Sequence, residues 1–198
     1  MKSIFYKQPL QYQIEIEGEN WTQGEKIKGK LTVRNMISET VFVKQPQVII
    51  AYGLKKNFKA GNETHWEVFE KQVLTKDISL HAGADQSYEW SFKLETDCPI
   101  TDKHGGLYLL FGGADTLSEG GRLDLPIILH PILQNFLQTF TTQFFFLEKY
   151  QKRKSDWTEV KLLPPESKEF PNMDFVRCFL RISQEHLEAH YLFKMRGL

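Results

Sequence analysis

The sequence is poor in the features that mark several protein classes. Its 198 residues include only two cysteines, Cys98 and Cys178, too few for a disulfide framework, so we expect two reduced thiols. Lys plus Arg and Asp plus Glu number 25 each, which leaves no electrostatic footprint for nucleic acid. The N-terminus has no secretory-signal pattern, and no stretch reaches transmembrane length. These absences predict a cytoplasmic protein without a nucleic-acid partner or transmembrane segment.

Catalytic motifs are also missing. Ser118 lies outside any Gly-x-Ser-x-Gly elbow, and Cys98 has only His104 near it in the sequence. A nucleophile needs a base held within hydrogen-bond reach, and neither pattern predicts one. We therefore predict that the protein is not an enzyme and carries no cofactor.

The stretch from Leu10 to Asn35 shows the first clear pattern, because its apolar residues recur at every second position. The alternating apolar residues are Tyr12, Ile14 and Ile16 in the first arm and Ile27, Leu31 and Val33 in the second. A period of two is typical of half-buried strands. Glycines between the arms favour a tight reversal. The stretch therefore predicts an antiparallel β-hairpin.

Further strands are predicted up to residue 129. Ser87–Leu94 alternates most clearly, with Trp90 at the centre of its apolar face, and Leu107–Phe111 is typical of a strand buried on both sides. Pro46 interrupts another β-rich run, because proline donates no ladder hydrogen bond. About seven strands joined by short turns predict an antiparallel β-sandwich over residues 1–129.

The period changes to 3.6 at Pro131. The apolar residues that share one helical face are Ile132, Leu133, Phe136, Leu137 and Phe140. Pro131 suits the first helical position, so we predict an amphipathic helix ending near Thr141. Strands are then predicted at 144–150, 175–183 and 186–195. Residues 130–198 are accordingly interpreted as a second domain, made of a linker helix and a smaller β-lobe.

Three segments resemble a known family. Residues 20–33 contain a Gly-Glu pair followed by an apolar-x-Gly-x-apolar pattern, and they resemble the early hairpin of arrestin-like domains. Residues 80–94 resemble a later strand of that family, entered after a glycine turn. The helix opening at His130-Pro131 is similar to the linker helix of the bacterial sporulation-control branch of the superfamily.

The resemblance implies an all-β protein, an arrestin-like antiparallel β-sandwich with one short amphipathic helix. It implies a non-catalytic adaptor or regulatory protein that acts through protein-protein binding. The lobe from Pro131 onward is much shorter than the family leads us to expect, so we predict a reduced second β-lobe. No counterpart of the buried charged core of visual arrestins is found, and no functional residue is carried over.

His186, Glu188 and His190 offer an alternative interpretation, a small metal-dependent enzyme. On a strand these side chains share one face, and imidazole and carboxylate are ligands of zinc and non-haem iron. Same-face neighbours on a strand lie about 7 Å apart, however, which is too far for easy convergence on one ion. A solvated polar face is therefore the favoured interpretation.

Two other surface hypotheses concern basic and aromatic residues. A basic cluster suited to an anionic membrane surface or phosphate comprises Lys149, Lys152, Arg153 and Lys154, beside Tyr150 and Trp157. Four charges at a strand end are usually only solvated. A carbohydrate-binding β-sandwich is the other alternative, resting on Trp21, Trp66 and Trp157, although their spacing does not place them on one face.

The run Phe144-Phe145-Phe146 is the predicted binding segment. Three consecutive aromatic side chains cannot all enter one core face of a strand, so at least Phe145 is expected to turn away. An incomplete second lobe should also leave a strand edge less covered, and open edges accept partner strands. We therefore predict self-association or a protein partner bound through residues 144–195.

Overall fold

The structure is a computed structural model that describes residues 1–56, 66–115, 120–183 and 186–197. In chain order its strands are β1 (Lys2–Lys7), β2 (Leu10–Ile16), β3 (Trp21–Thr22), β4 (Lys26–Asn35), β5 (Val41–Val43), β6 (Gln47–Leu54), β7 (Glu67–Val73), β8 (Ile78–Leu80), β9 (Asp85–Lys93), β10 (Gly105–Gly112), β11 (Gly121–Leu125), β12 (Ile127–Ile128), β13 (Leu147–Lys154), β14 (Trp157–Leu163), β15 (Met173–Ser183) and β16 (His186–Met195). The α-helix α1 (Pro131–Gln138) continues into a π-helical turn at Thr139–Gln143. No helix in the described ranges is long and apolar enough to cross a membrane.

The chain forms two compact units. The first comprises Met1–Trp21, Lys26–Lys93 and Gly105–Pro126, and the second comprises Thr22–Glu25, Leu94–His104 and Ile127–Leu198. The predicted division between residues 129 and 130 lies near the last of these boundaries. The prediction assigns Thr22–Glu25 and Leu94–His104 to the first domain, whereas the structure places both segments in the second unit.

Two four-stranded sheets build the first unit, in the orders β1-β2-β4-β9 and β11-β10-β6-β7. The predicted hairpin is confirmed: β2 and β4 pair antiparallel, with Tyr12 opposite Val33 and Ile14 opposite Leu31. These four side chains are fully buried. Alternate burial follows from the side-chain period of two, which places every second residue in the core.

Trp90 is buried where β9 pairs with β4, directly opposite Gly29. A Cβ atom at Gly29 would overlap the carbonyl oxygen of Glu15 and lie 2.6 Å from the Trp90 ring. Glycine is therefore required there because strand backbone and indole approach each other too closely for any side chain. Trp90 also packs on Phe92, at 5.8 Å between ring centroids.

Three predicted boundaries are wrong. The run 123–129 is divided into β11 and β12 at Pro126, which cannot donate a ladder hydrogen bond. β13 begins at Leu147, so Phe144–Phe146 is not part of a strand. The final strand pair begins earlier than predicted, at Met173. The predicted loop at 55–64 lies largely outside the described residues.

One four-stranded antiparallel sheet, β13-β14-β15-β16, forms most of the second unit. Helix α1 covers one of its faces, which we call the helix face, through buried Leu133 and Leu137. The prediction for Pro131 is confirmed, because it occupies the first helical turn after the N-cap residue His130. The buried sheet residues of the same core are Val160, Leu162, Val176, Cys178, Leu180 and Ile182.

Gln23 connects separate segments of the second unit. Its side-chain amide donates a hydrogen bond to Cys98 O at 2.6 Å and accepts one from His130 N at 3.0 Å. Its backbone N–H donates to Ile128 O at 3.1 Å. Gln23 is buried, so these bonds satisfy polar groups that water does not reach.

Candidate interaction surface

Strand β16 is one of the two edge strands of the sheet in the second unit, and β13 is the other. Among the described residues it pairs with β15 only, along its full length of ten residues. Its other side therefore presents a row of backbone N–H and C=O groups to the surroundings. Such a row is a template on which another strand can form a ladder.

The side chains of β16 strengthen this feature. Tyr191, Leu192, Phe193 and Met195 are all exposed, and Phe193 has 57% of its surface accessible. An exposed apolar group is unfavourable in water, and a contiguous group of them marks an interaction site more often than a passive surface. The end of β16 thus combines an open backbone edge with apolar side chains.

On the helix face β16 joins a series of aromatic rings, which we call the aromatic flank: Phe136, Phe140, Phe144, Tyr191 and Phe193. Phe140 is its centre, with ring centroids 5.4 Å from Phe136, 6.5 Å from Phe144 and 6.4 Å from Tyr191. Tyr191 in turn stacks on Phe193 at 6.1 Å. The rings fix one another in position, so the flank is a preformed apolar surface.

The three residues of the predicted segment Phe144–Phe146 have different surroundings. Phe144 belongs to the aromatic flank. Phe146 is a core residue, 5.1 Å from the ring of Phe170, and is therefore not available to a partner. Phe145 turns outward as predicted and is 72% exposed. The cause is a left-handed backbone with φ of 55°, not strand alternation. An interface role for Phe144 and Phe145 stays a prediction.

The opposite side of the sheet, the outer face, alternates cations with aromatic rings. Arg181 lies over Trp157 at 4.3 Å and Lys154 over Phe179 at 4.9 Å. Near the other end of the face, Lys161 lies over Phe175 at 4.1 Å. Cation–π contacts of this kind hold long side chains down on the sheet.

His186, Glu188 and His190 lie on the strand β16 but do not form a ligand set. Glu188 accepts hydrogen bonds from Arg181, with an Nε–Oε2 distance of 2.8 Å, and His190 packs edge-on against Trp157 at 4.9 Å. No group of three potential metal ligands converges within the described part of the chain. The bond from Arg181 also lowers the pKa of Glu188.

The four residues of the predicted basic cluster, Lys149, Lys152, Arg153 and Lys154, have different surroundings and do not act as one group. Lys152 pairs with Glu159 at 3.4 Å, and Lys154 lies over an aromatic ring. Arg153 donates its backbone N–H to Asp102 and its Nε to Ser155 O. Lys149 lies at the irregularity between Glu148 and Tyr150. The four cations therefore do not converge on one anion-binding position.

Glu159 is the one charged residue in the described chain that is fully buried, with 1% of its surface exposed. It accepts a hydrogen bond from Tyr150 Oη at 2.7 Å, with Lys152 at 3.4 Å and Arg177 at 3.6 Å. Burial alone would raise the pKa of Glu159. The Tyr150 hydrogen bond and the two cations outweigh burial, and the pKa is lowered below its usual value of 4.5.

This lowered pKa makes stability depend on pH. A carboxyl whose pKa is lower in the folded state stabilises the fold above its unfolded-state pKa, and this contribution is lost as pH falls through the folded value. We expect Glu159→Gln to reduce the free energy of unfolding by about 1 to 3 kcal/mol at neutral pH. The difference from wild type should narrow below pH 4.5.

Urea denaturation at several pH values measures this difference. The matched control is Glu17→Gln, which removes a surface carboxylate paired with Lys28 at 2.9 Å and is expected to change stability little. A constant difference between wild type and Glu159→Gln from pH 7 to pH 3 would contradict the assignment.

Cys98, Ser118 and the three tryptophans of the carbohydrate hypothesis are the remaining candidate site residues. Cys98 is buried and free, and burial raises the pKa of its thiol to about 12, so it is a protonated thiol and a poor nucleophile. Trp21 is buried, Trp66 packs edge-on against Tyr108, and Arg181 covers Trp157. Trp21 is therefore not available to stack on a sugar, and the rings of Trp66 and Trp157 each pack against another side chain. Ser118 lies outside the described residues.

Comparison with known proteins identifies the fold. Spo0M, a sporulation control protein from Bacillus subtilis, superposes with a TM-score of 0.71 and 14% sequence identity, covering 93% of this chain and 79% of its own. The fold is therefore arrestin-like, as the sequence resemblance predicted. No protein-family model and no curated protein matches the sequence.

Two further similarities are partial. The DNA glycosylase AlkC from Pseudomonas fluorescens, bound to DNA, has a TM-score of 0.33 and 17% identity over 60% of this chain and 30% of its own. A β-glucosidase from Listeria innocua in complex with isofagomine has a TM-score of 0.36 and 10% identity over 62% of this chain and 17% of its own. At these scores neither similarity carries an argument about function.

Proposed function

We propose that this protein is a non-enzymatic regulatory protein that acts by binding other proteins through the second unit. The observation that carries the proposal is the coincidence of an open edge strand with the aromatic flank. The fold shared with a sporulation control protein is consistent with a regulatory role. Cytoplasmic location is part of the proposal, and a reducing compartment accords with two free, buried cysteines.

The edge of β16 and the aromatic flank supply complementary parts of a binding reaction. An added strand gains backbone hydrogen bonds whatever its sequence, while alternate side chains determine which partner fits. Tyr191 lies on the helix face beside the rings of Phe136 and Phe140, and Phe193 stacks on Tyr191. A partner strand on β16 is thereby positioned to place apolar side chains against the aromatic flank. Burying these rings against a partner contributes about 25 cal/mol of favourable free energy for each Å² of apolar surface removed from water.

Replacing Phe193 with lysine tests the surface. Lysine on an edge strand opposes strand addition because its charge would have to be desolvated. The matched control is Phe42→Lys on β5, since Phe42 is 58% exposed and Phe193 57%. Both variants are expected to fold normally, because neither substitution enters a core.

The measurement is quantitative mass spectrometry of proteins captured from native cell extract on immobilised wild type and both variants. We expect wild type and Phe42→Lys to capture the same proteins in similar amounts. The captured amount should fall about tenfold on Phe193→Lys, which corresponds to a loss of about 1.4 kcal/mol in binding free energy. An identical set of proteins on all three baits would overturn the proposed surface.

A further inference from the structure

We infer that one occupant of this surface is a second copy of the chain, with β16 paired antiparallel to β16 and Tyr191 opposite its own counterpart. The inference rests on the proposed binding surface and adds the partner and the register. A two-fold axis perpendicular to a sheet relates two edge strands antiparallel, and it presents the same residues from both sides.

Symmetry leaves few registers for this pairing. Directly opposite residues in a sheet point to the same face, so a symmetric pair must place one residue opposite itself. β16 spans His186–Met195. The two registers with the greatest overlap are therefore centred on His190 and on Tyr191.

Charge distinguishes the two registers. Centring on His190 places His190 opposite His190 and His186 opposite Lys194, so no carboxylate lies opposite a cation. Centring on Tyr191 places Glu188 opposite Lys194 of the second copy, and by symmetry does so twice. Opposite charges directly across two strands are favourable and like charges unfavourable, so the Tyr191 register is preferred.

The surroundings of Glu188 and Lys194 fit the Tyr191 register. Within each copy Arg181 binds Glu188 at 2.7 Å, and Asp174 pairs with Lys194 at 3.5 Å. Across the two copies the row on the outer face then reads Arg181, Glu188, Lys194, Asp174, with alternating charge. In this row Lys194 lies between two anions, and Arg181 lies beside Glu188.

The helix face is compatible with the same register. The opposite pairs there are Tyr191 with Tyr191, Ala189 with Phe193, and Leu187 with Met195. The small side chain of Ala189 leaves room for the ring of Phe193, which is largely exposed in the single chain. The two aromatic flanks become continuous across the axis. Pairing also uses the open edge on both copies, so the assembly closes as a dimer.

Two charge-reversal variants test the register. Glu188→Lys places lysine opposite Lys194 in its own dimer, and Lys194→Glu places glutamate opposite Glu188. Each variant alone is expected to dimerise about tenfold more weakly than wild type. When the two are mixed, both opposite pairs become complementary, so a heterodimer should form with affinity near that of wild type.

In each mixture one variant is labelled uniformly with ¹⁵N, because exchanging lysine and glutamate hardly changes the mass. Native mass spectrometry then distinguishes both homodimers from the heterodimer, and analytical ultracentrifugation gives the wild-type dissociation constant. The control mixture is Glu17→Lys with Lys28→Glu, an exposed pair in the first unit. This mixture should show the wild-type proportion of dimers and no preference for the heterodimer.

Preferential heterodimer formation by the β16 variants supports the inference. A wild-type chain that remains monomeric at high concentration overturns it, while capture of other proteins on β16 still decides the proposed function. A dimer lost in Phe193→Lys but indifferent to charge reversal overturns the register and leaves the binding surface intact. A dimer unaffected by all these variants overturns β16 as the surface of self-association, and the capture experiment still decides the proposed function separately.

Discussion

Replacing Trp90 with alanine is expected to lower the free energy of unfolding by about 3 to 5 kcal/mol, the range for removing a large buried aromatic side chain. Trp90 is 2% exposed and packs on Phe92 and over Gly29. Its indole N–H has no hydrogen-bond acceptor in the described structure. The loss on truncation is therefore one of packing, since no hydrogen bond is broken and the rigid strands cannot close the cavity.

Urea denaturation followed by circular dichroism measures this loss without relying on tryptophan fluorescence. Phe42→Ala is the control, because Phe42 is mostly exposed and its truncation should change stability by less than about 0.5 kcal/mol. An unchanged midpoint for Trp90→Ala would show that the core of the first unit is placed wrongly.

Introducing glutamate at position 137 of α1 is expected to destabilise the second unit by about 3 to 5 kcal/mol. Leu137 is buried against the sheet core, and an unpaired charge there has neither water nor a counterion. The adjacent substitution Gln138→Glu introduces the same residue on the exposed side of the helix. It should change stability by less than about 0.5 kcal/mol.

Thermal and urea unfolding of the two glutamate variants distinguish the faces of α1. The helix is short, so its stability comes from packing against the sheet more than from its own propensity. Equal stability of the two variants would contradict the docking of α1 on the helix face. Greater destabilisation by Gln138→Glu would mean that the helix is turned the other way.

Local periodicity explains which elements could be predicted from the sequence. The β2–β4 hairpin and α1 have apolar periods of two and 3.6, and those periods are properties of adjacent residues. The burial of Trp90 followed from the same alternation. Gly29 did not stand out, because its role depends on Glu15 and Trp90, which reach it only when the strands pair.

The features that could not be predicted depend on contacts between residues that are far apart in the sequence. The order of strands decides that β16 is an edge, and no pattern within His186–Met195 specifies its neighbours. The aromatic flank combines α1 with β16 for the same reason. Phe144–Phe146 has the composition of a strand, but the left-handed residue Phe145 and the hydrogen bond from Phe146 N to Phe140 O give it another conformation.

Hydrogen–deuterium exchange tests whether partners bind by adding a strand to β16, because strand addition protects the backbone amides on the open edge. Exchange is measured in the free chain and in its complex with a protein partner or a second copy of the chain, with β5 as the internal reference. We expect the amides of His186–Met195 to exchange more slowly when the partner is bound, and the exchange of Val41–Val43 to be unchanged. Association that leaves the exchange of β16 unaltered would contradict strand addition.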